Sequence, residues 1–298
     1  MPPHLTAEAA HLEVHRIVNF LRHHLPPPFK AVVGHSGGID ADVVARLTAR
    51  ALGPERIKLF TVLQTDFDER FLINARQTSH SLGVPLVEID LTRLSQPLIE
   101  AIALADPAAR FRPYGLLDPA RIKASLRTSV FSTYVERGYV VVGTSNRTEH
   151  ELGFFLPFGD GVWHLGPIAH LYKTQVFDLA HCLDCPDTVI QQPPSGGFWA
   201  GETDLEDISF WLLHGEPVRE DRHWTTEEME IVTRIHGVLS FASMDSVLCR
   251  LAVEPRDEAI VSATGMPVDV IARIRRLAEQ TELLKRRPLH MSLSPLRS

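Results

Sequence analysis

Ala31-Val32-Val33-Gly34-His35-Ser36-Gly37-Gly38-Ile39-Asp40 joins an apolar run to a glycine-rich bend, and the helical pattern Val43-Val44-Ala45-Arg46-Leu47 follows at once. Ala31 to Gly34 read as a buried strand, which puts the bend at the carboxyl end of a strand and at the start of a helix. Two glycines remove Cβ atoms and let backbone N–H groups turn toward an anion, while the helix adds the positive end of its dipole. Ser36 supplies a hydroxyl donor for a phosphate oxygen, and Asp40 at the helix start supplies a carboxylate suited to Mg²⁺. A Walker A loop would need Gly-Lys-Ser/Thr here, and a dinucleotide turn would need Gly-x-Gly-x-x-Gly; neither is present. A glycine-rich turn that binds nothing has the same local look, so the reading needs support from the rest of the chain.

Outward from this bend, strands and helices alternate. Strand candidates are Ala31 to Gly34, Ile57 to Leu63, Pro85 to Asp90 and Tyr139 to Gly143, with helical stretches near 7–24, 41–52, 67–82, 92–105 and 119–137. Gly53, Gly83 and Gly138 stand where helices should stop. The alternation predicts an α/β fold, a doubly wound parallel sheet of Rossmann-like form with helices on both faces. Ligands in such sheets bind beyond the carboxyl ends of strands, so the loops after Gly34 and Gly143 should face one pocket. Residues 191–224 change character: Gln191-Gln192-Pro193-Pro194-Ser195-Gly196-Gly197-Phe198-Trp199-Ala200-Gly201 reads as a loop, either a lid or an ordered surface segment. Helical patterns resume around 225–236, 243–251, 256–263 and 267–280, before the basic end Lys285-Arg286-Arg287-Pro288. We read residues 1–298 as one domain whose C-terminal part, about 225–290, is helical.

Composition narrows the function. The 298 residues are 44% hydrophobic and 22% charged, with a formal charge of −7, which favours small anionic ligands held in a local pocket over a general nucleic-acid surface. Cys182, Cys185 and Cys249 are too few and too uneven for a disulfide framework, which points to a reducing, cytoplasmic setting. Cys182-Leu183-Asp184-Cys185 with His181 is half of a zinc pattern, and no second ligand pair at the right spacing completes it. The fifteen histidines are mostly scattered singly, as solvated or structural residues are. No signal-peptide pattern opens the chain, and no apolar run of about 18 residues predicts a membrane span.

A second cluster follows the fourth strand: Val141-Val142-Gly143-Thr144-Ser145-Asn146-Arg147-Thr148-Glu149, then Phe158-Gly159-Asp160-Gly161, then Pro167-Ile168-Ala169-His170-Leu171-Tyr172-Lys173-Thr174-Gln175. Pro194-Ser195-Gly196-Gly197-Phe198-Trp199 and Gly201-Glu202-Thr203-Asp204-Leu205-Glu206-Asp207 come later. Taken in order with Ser-Gly-Gly-x-Asp, these stretches resemble the NAD synthetases, ATP pyrophosphatases of the adenine nucleotide alpha hydrolase-like superfamily, over about residues 10–290. No nitrilase-like glutaminase segment precedes the first helix, so the resemblance is to the ammonia-dependent form. It implies an enzyme, a ligase that forms a C–N bond. ATP adenylates the carboxylate of nicotinic acid adenine dinucleotide, pyrophosphate leaves, and ammonia gives the amide NAD.

The resemblance also implies roles. Asp40 and Glu149 hold Mg²⁺ against the phosphates of ATP, and Gly34, Ser36, Gly37 and Gly38 form the cradle for the leaving pyrophosphate. Thr144, Lys173 and Ser195 are further ATP contacts, with Asp40, Lys173 and Asp160 the catalytic set. Arg127, Asp160 and Lys285 face the acceptor. Relatives are homodimers with the acceptor site at the subunit interface, which implies a homodimer here, small-molecule substrates, and neither nucleic acid nor membrane as partner.

Four departures fall near the site. Ala41-Asp42 replaces the serine that follows the loop aspartate, placing a second carboxylate near a polyanion unless Asp42 faces away or ligates metal. Gln64-Thr65 stands for Met-Pro, Ser125 for an arginine, and Leu284 for a histidine. These leave two alternatives open: a relative that adenylates a different small carboxylic acid for ammonia or an amine, and a nucleotide-binding protein without turnover.

Overall fold

The computed structural model describes residues 4–63, 68–197, 201–218, 223–254 and 256–281. Helix α1 (Ala7–His24) precedes strand β1 (Lys30–Gly34), and a β-α rhythm follows: α2 (Ile39–Leu52), β2 (Ile57–Leu63), α3 (Glu69–Leu82), β3 (Leu86–Asp90), α4 (Ser95–Ala105), α5 (Leu117–Val135) and β4 (Tyr139–Val141). The strands form a parallel sheet in the order β3-β2-β1-β4, with Ala31 opposite both Ile57 and Val140. Alternation along the strands supplies both faces: Ala31, Val33 and Leu59 join the core under α1 and α2, while Val32, Phe60 and Val141 pack with Phe131 of α5 on the other side. The doubly wound sheet expected from the pattern is therefore present.

Strand order has a functional consequence. The chain moves outward from β1 through β2 to β3, then returns to place β4 on the opposite side of β1. The loops leaving β1 and β4 thus diverge and open a crevice at the switch point, where open α/β sheets bind ligands.

Beyond β4 lie α6 (Arg147–Leu152), α7 (Lys173–Cys182), α8 (Asp187–Ile190) and α9 (Asp204–His214). Then come α10 (Thr226–Val238), α11 (Phe241–Leu251), α12 (Asp257–Thr264) and α13 (Val268–Gln280). Helix α7 returns to the sheet layer, where Val176 and Leu179 pack beside α1 and α2. A second apolar core holds the C-terminal helices together, built from Leu152, Ile208, Leu212, Ile235, Met244 and Ile274 among others.

Several boundaries differ from the sequence reading. Helix α4 begins at Ser95 rather than near 92, because the Thr92 N–H and hydroxyl both donate to Asp90 Oδ1 and hold a turn there. Strand β4 ends at Val141; Val142 only bridges to Leu165. The largest correction is α9. The segment 191–224, read as non-helical, contains eleven residues of helix from Asp204, capped by Thr203 Oγ1 accepting the Glu206 N–H. Its Ile208 and Leu212 are buried in the second core, a periodic stripe masked by the proline- and glycine-rich stretch before it.

Candidate active site

Extended pairing carries β1 one residue past its end, since the His35 N–H donates to Phe60 O at 2.7 Å. The chain then turns at Gly37, where φ is +88° and a Cβ would lie 1.9 Å from the Phe71 carbonyl oxygen. Only glycine fits that close approach. The bend is held by its own groups: the Gly37 N–H donates to His35 Nδ1 at 3.1 Å, the Gly38 N–H to Ser36 Oγ at 3.3 Å, and Asn74 Nδ2 to the Gly37 carbonyl at 3.4 Å. Gly38 then caps α2 with no side-chain acceptor of its own. The first N–H groups of α2 therefore point past Ser36 into the crevice, as an anion cradle requires.

The loop after β4 supplies the opposite wall. Gly143 is needed because Trp163 packs where its Cβ would be, 2.4 Å from the Trp163 Cγ. Asn146 then starts α6 with a reciprocal cap: its Oδ1 accepts the Glu149 N–H at 3.0 Å, and Glu149 Oε2 accepts the Asn146 N–H at 3.3 Å. The fully buried Asn146 Nδ2 donates both to Asp40 Oδ1 at 3.0 Å and to Glu149 Oε1 at 2.7 Å. Asp40 and Glu149, far apart in sequence, are thus joined by one amide.

Lys173 completes the network. Its Nζ donates to Asp40 Oδ2 at 2.5 Å and lies 3.6 Å from Glu149 Oε1, with the residue 2% exposed. The C-terminal helices seat it: the Lys173 N–H donates to Thr148 Oγ1, which in turn donates to Asp245 Oδ1, and Asp245 Oδ2 accepts from the Thr174 N–H and hydroxyl. Burial alone would lower the ammonium pKa, but the Asp40 and Glu149 carboxylates raise it, so Lys173 stays charged. Burial lifts Glu149 well above the usual carboxylate range, and Asp40 adds to the rise against the pull of Lys173.

These groups line a cavity of about 570 Å³. Ser36, Gly38, Asp40, Thr144, Glu149 and Lys173 form one end. The other end is apolar and aromatic, with Leu117, Phe155, Phe210, Trp211 and Trp224. A smaller cavity of about 90 Å³ lies at the strand ends, lined by Gly34, Thr61, Val62, Phe131 and Gly143. Thr144, Arg127, Asp160 and Ser195 border both spaces. Asp160 accepts the Leu156 N–H at 2.9 Å; burial raises its pKa, and the Arg127 guanidinium draws it back. Ser195 Oγ donates to Glu202 Oε2 at 3.2 Å and accepts the Gly197 N–H at 2.9 Å, and Gln192 Oε1 accepts from Asn74 Nδ2 at 2.7 Å. The described part of the 191–201 segment is thereby fastened to α3 and to Glu202, just ahead of α9.

The structure thus brings Gly34, Ser36, Gly37, Gly38, Asp40, Arg127, Thr144, Glu149, Asp160, Lys173 and Ser195 around one crevice. Lys285, Leu284, Gln64 and Thr65 lie outside the described residues. Asp42 turns away from the crevice: it is fully buried, and its carboxylate accepts from Arg46 Nε at 2.7 Å and from the Thr78 hydroxyl. Cys185 joins that polar cluster, where burial pushes its thiol up. Ser125 does not line the cavity, but Arg121, one turn earlier on α5, does, and it donates to the Val218 carbonyl.

Sequence reading missed four contributors. Asn146 was visible as the first residue of an Asn-x-x-Glu capping pattern. Arg121 sits one helical turn from a position where a cation was expected. Asp204 and the aromatic wall belong to α9 and its surroundings, whose helical register was hidden.

Comparison with known proteins gives concordant matches. The family described as NAD synthase matches residues 13–212. The NH(3)-dependent NAD(+) synthetase of Thermoplasma acidophilum is 35% identical over 215 residues, 70% of this chain and 83% of that one. Its counterpart in Methanosarcina acetivorans is 29% identical over 282 residues, covering 92% and 94%. Among solved structures, an NMN synthetase from Francisella tularensis superposes with a TM-score of 0.69 at 22% identity, covering 95% of this chain and 99% of the other. The NH3-dependent NAD synthetase of Campylobacter jejuni does so with 0.66 at 18% identity and the same coverage. At these identities the two structures speak for the fold.

Proposed function

The chain belongs to the NAD synthase family, and from that premise we propose that it is an ammonia-dependent ligase that converts nicotinic acid adenine dinucleotide to NAD. The acceptor carboxylate attacks the α-phosphorus of ATP, giving an acyl-adenylate and releasing pyrophosphate. Ammonia then adds to the acyl carbon, AMP leaves with the C–O bond electrons, and one proton is lost as the amide forms.

The observation that carries this reading is the Asp40–Asn146–Glu149–Lys173 network beside a glycine cradle. Two anions must meet in the first step, so the site has to neutralise charge as the pyrophosphate departs. The N–H groups at the start of α2, Ser36 and Lys173 suit that task. Asp40 and Glu149 fit Mg²⁺, which binds through one or two carboxylates plus substrate phosphates; among the described residues no cluster of three metal-ligating side chains exists to suit another mode. Bound there, Mg²⁺ supplies Lewis-acid neutralisation of the phosphate charge. Thr144 and Ser195 serve as further ATP contacts, and Arg127, Asp160 and Arg121 face the acceptor, with Lys285 a further candidate. The inward turn of Asp42 supports retained ATP binding, because the extra carboxylate is spent on Arg46 and Thr78 rather than on the phosphates.

We read residues 1–298 as one domain acting in the cytoplasm; among the described residues no helix is long and apolar enough to cross a membrane. It works as a homodimer through α4 and α5. Helix α4 is strongly apolar yet buries only Ser95 and Ile99, and a groove over Leu91, Leu94, Leu126, Val130 and Tyr134 lies beside it. Because α5 lines both this groove and the cavity, a second copy seated there would border the acceptor end.

Purified protein given ATP, Mg²⁺, ammonium and nicotinic acid adenine dinucleotide should yield NAD with one AMP and one pyrophosphate per turnover. Pyrophosphate release only with some other carboxylic acid would instead support a different acceptor. ATP binding without pyrophosphate release under any acid would remove the enzyme reading.

A further inference from the structure

We propose that Lys173 makes divalent-metal binding depend on nucleotide: it serves as the internal counter-ion of Asp40 and Glu149, and it yields that pair only to an arriving polyphosphate. The proposal rests on the ligase reading above and adds an order to the filling of that site. The two carboxylates suited to Mg²⁺ are also the two that Lys173 holds. Its Nζ donates to Asp40 Oδ2 at 2.5 Å and lies 3.6 Å from Glu149 Oε1. Asn146 Nδ2 donates to the other Asp40 oxygen at 3.0 Å and to Glu149 Oε1 at 2.7 Å, and Glu149 Oε2 accepts the Asn146 N–H. Every oxygen of the pair therefore has a donor from the chain itself. A free divalent cation seeking these oxygens meets an ammonium already on them, and two cations on one small anionic pair repel.

Lys173 is built to change partners. Its backbone is fixed, because its N–H donates to Thr148 Oγ1 and that hydroxyl donates to the buried Asp245. Among the described residues, its ammonium is held by the two carboxylates and by the face of the Phe241 ring, 5.4 Å from Nζ. The four-carbon stem is flexible, and the side chain lines the same end of the cavity as Ser36, Gly38 and Thr144. A polyphosphate in the cradle brings more negative charge than one carboxylate, so the ammonium moves to the phosphate oxygens. Asn146, a neutral amide, stays between Asp40 and Glu149 and keeps them together as the lysine leaves. The carboxylates so released are open to the Mg²⁺ that accompanies the nucleotide. Metal and nucleotide thus enter together, and free Mg²⁺ does not take the pair ahead of ATP.

Mn²⁺ alone, followed by the loss of its electron paramagnetic resonance signal on binding, tests this without turnover. In the absence of nucleotide, Lys173→Gln should bind Mn²⁺ at least about tenfold more tightly than the wild type, the scale of one relieved charge repulsion. Lys173→Arg keeps the charge and should bind Mn²⁺ as weakly as the wild type. Asp40→Asn placed in the Lys173→Gln background should remove the gain, since it takes away half of the pair. Equal Mn²⁺ affinity in the wild type and Lys173→Gln overturns the proposal, and so does a gain that survives Asp40→Asn. Thermal melts of the wild type give a second measurement that needs no variant: Mn²⁺ with ATP should raise the Tm by more than the sum of the shifts with Mn²⁺ alone and with ATP in EDTA. A joint shift no larger than that sum also overturns it. If the wild type makes no NAD while Lys173→Gln gains Mn²⁺ affinity, the ligase reading has failed and the role of Lys173 has not. NAD formation by the wild type with no gain in Lys173→Gln is the converse.

Discussion

His35 shows how much a single side chain contributes to the phosphate bend. It is 1% exposed, its Nδ1 accepts the Gly37 N–H, and its buried Nε2 finds no partner among the described residues. Burial pulls its pKa down from an ordinary 6.5 to about 4, with Asp42 opposing and Arg46 adding to the fall. The folded protein therefore prefers the neutral ring, which is also the form that can accept from Gly37. His35 contributes this stability fully above about pH 6.5, and the contribution is lost as the pH falls toward 4, by about 3 kcal/mol over the window. Carboxylates lifted by burial, such as Glu149 and Asp160, act in the opposite direction, so the clean quantity is a difference between variants. Urea unfolding of wild type and His35→Leu at pH 7.5 and 4.5 should show a steeper loss in the wild type; equal losses would remove His35 from the account.

Among elements, the β1–α2 connection does most to set the site. Gly37→Ala would drive a methyl group into the Phe71 carbonyl, at a φ that side chains rarely adopt. The bend must then shift relative to α3, and with it the N–H groups that start α2. We expect the KM for ATP to rise about tenfold or more, with a stability loss of about 1–3 kcal/mol in thermal melts. A variant whose ATP KM matches wild type would show that the cradle does not depend on this contact. At this scale the chain was mostly legible. β1, β2 and the helices packed on them carry local period-two or helical patterning, and their ends fall within a few residues of expectation. Helix α9 was not legible, because its apolar stripe faces the C-terminal helices rather than the sheet and follows a stretch dense in proline and glycine.

For the whole molecule, the apolar outer face of α4 and α5 makes the decisive prediction. Leu94 is 53% exposed and lines a groove of aliphatic and aromatic residues, and Leu104, further along α4, is 85% exposed. Exposed apolar surface of this kind is costly in water and is the usual mark of an interface. Leu94→Asp should convert the proposed dimer to monomer in analytical ultracentrifugation while leaving the circular dichroism and the monomer core intact. A wild-type protein that sediments as a monomer at micromolar concentration would put the interface elsewhere or nowhere. The C-terminal helices also act at this scale, since Asp245 of α11 reaches the starts of α6 and α7 and so places Lys173.

The sequence by itself determined the alternating architecture, the phosphate-type bend and the order of the motifs, because each rests on residues within a few positions of one another. Tertiary structure alone decided that Asn146 reaches Asp40 across 106 positions of chain and joins it to Glu149, and that Lys173 reaches Asp40 across 133. It also turned Asp42 inward to Arg46 and Thr78, and brought Arg121 to the wall that Ser125 does not reach. Those outcomes depend on which way a side chain points and on what meets it from elsewhere in the fold. Burial and pairing between distant segments set them, and neither is a property of local sequence.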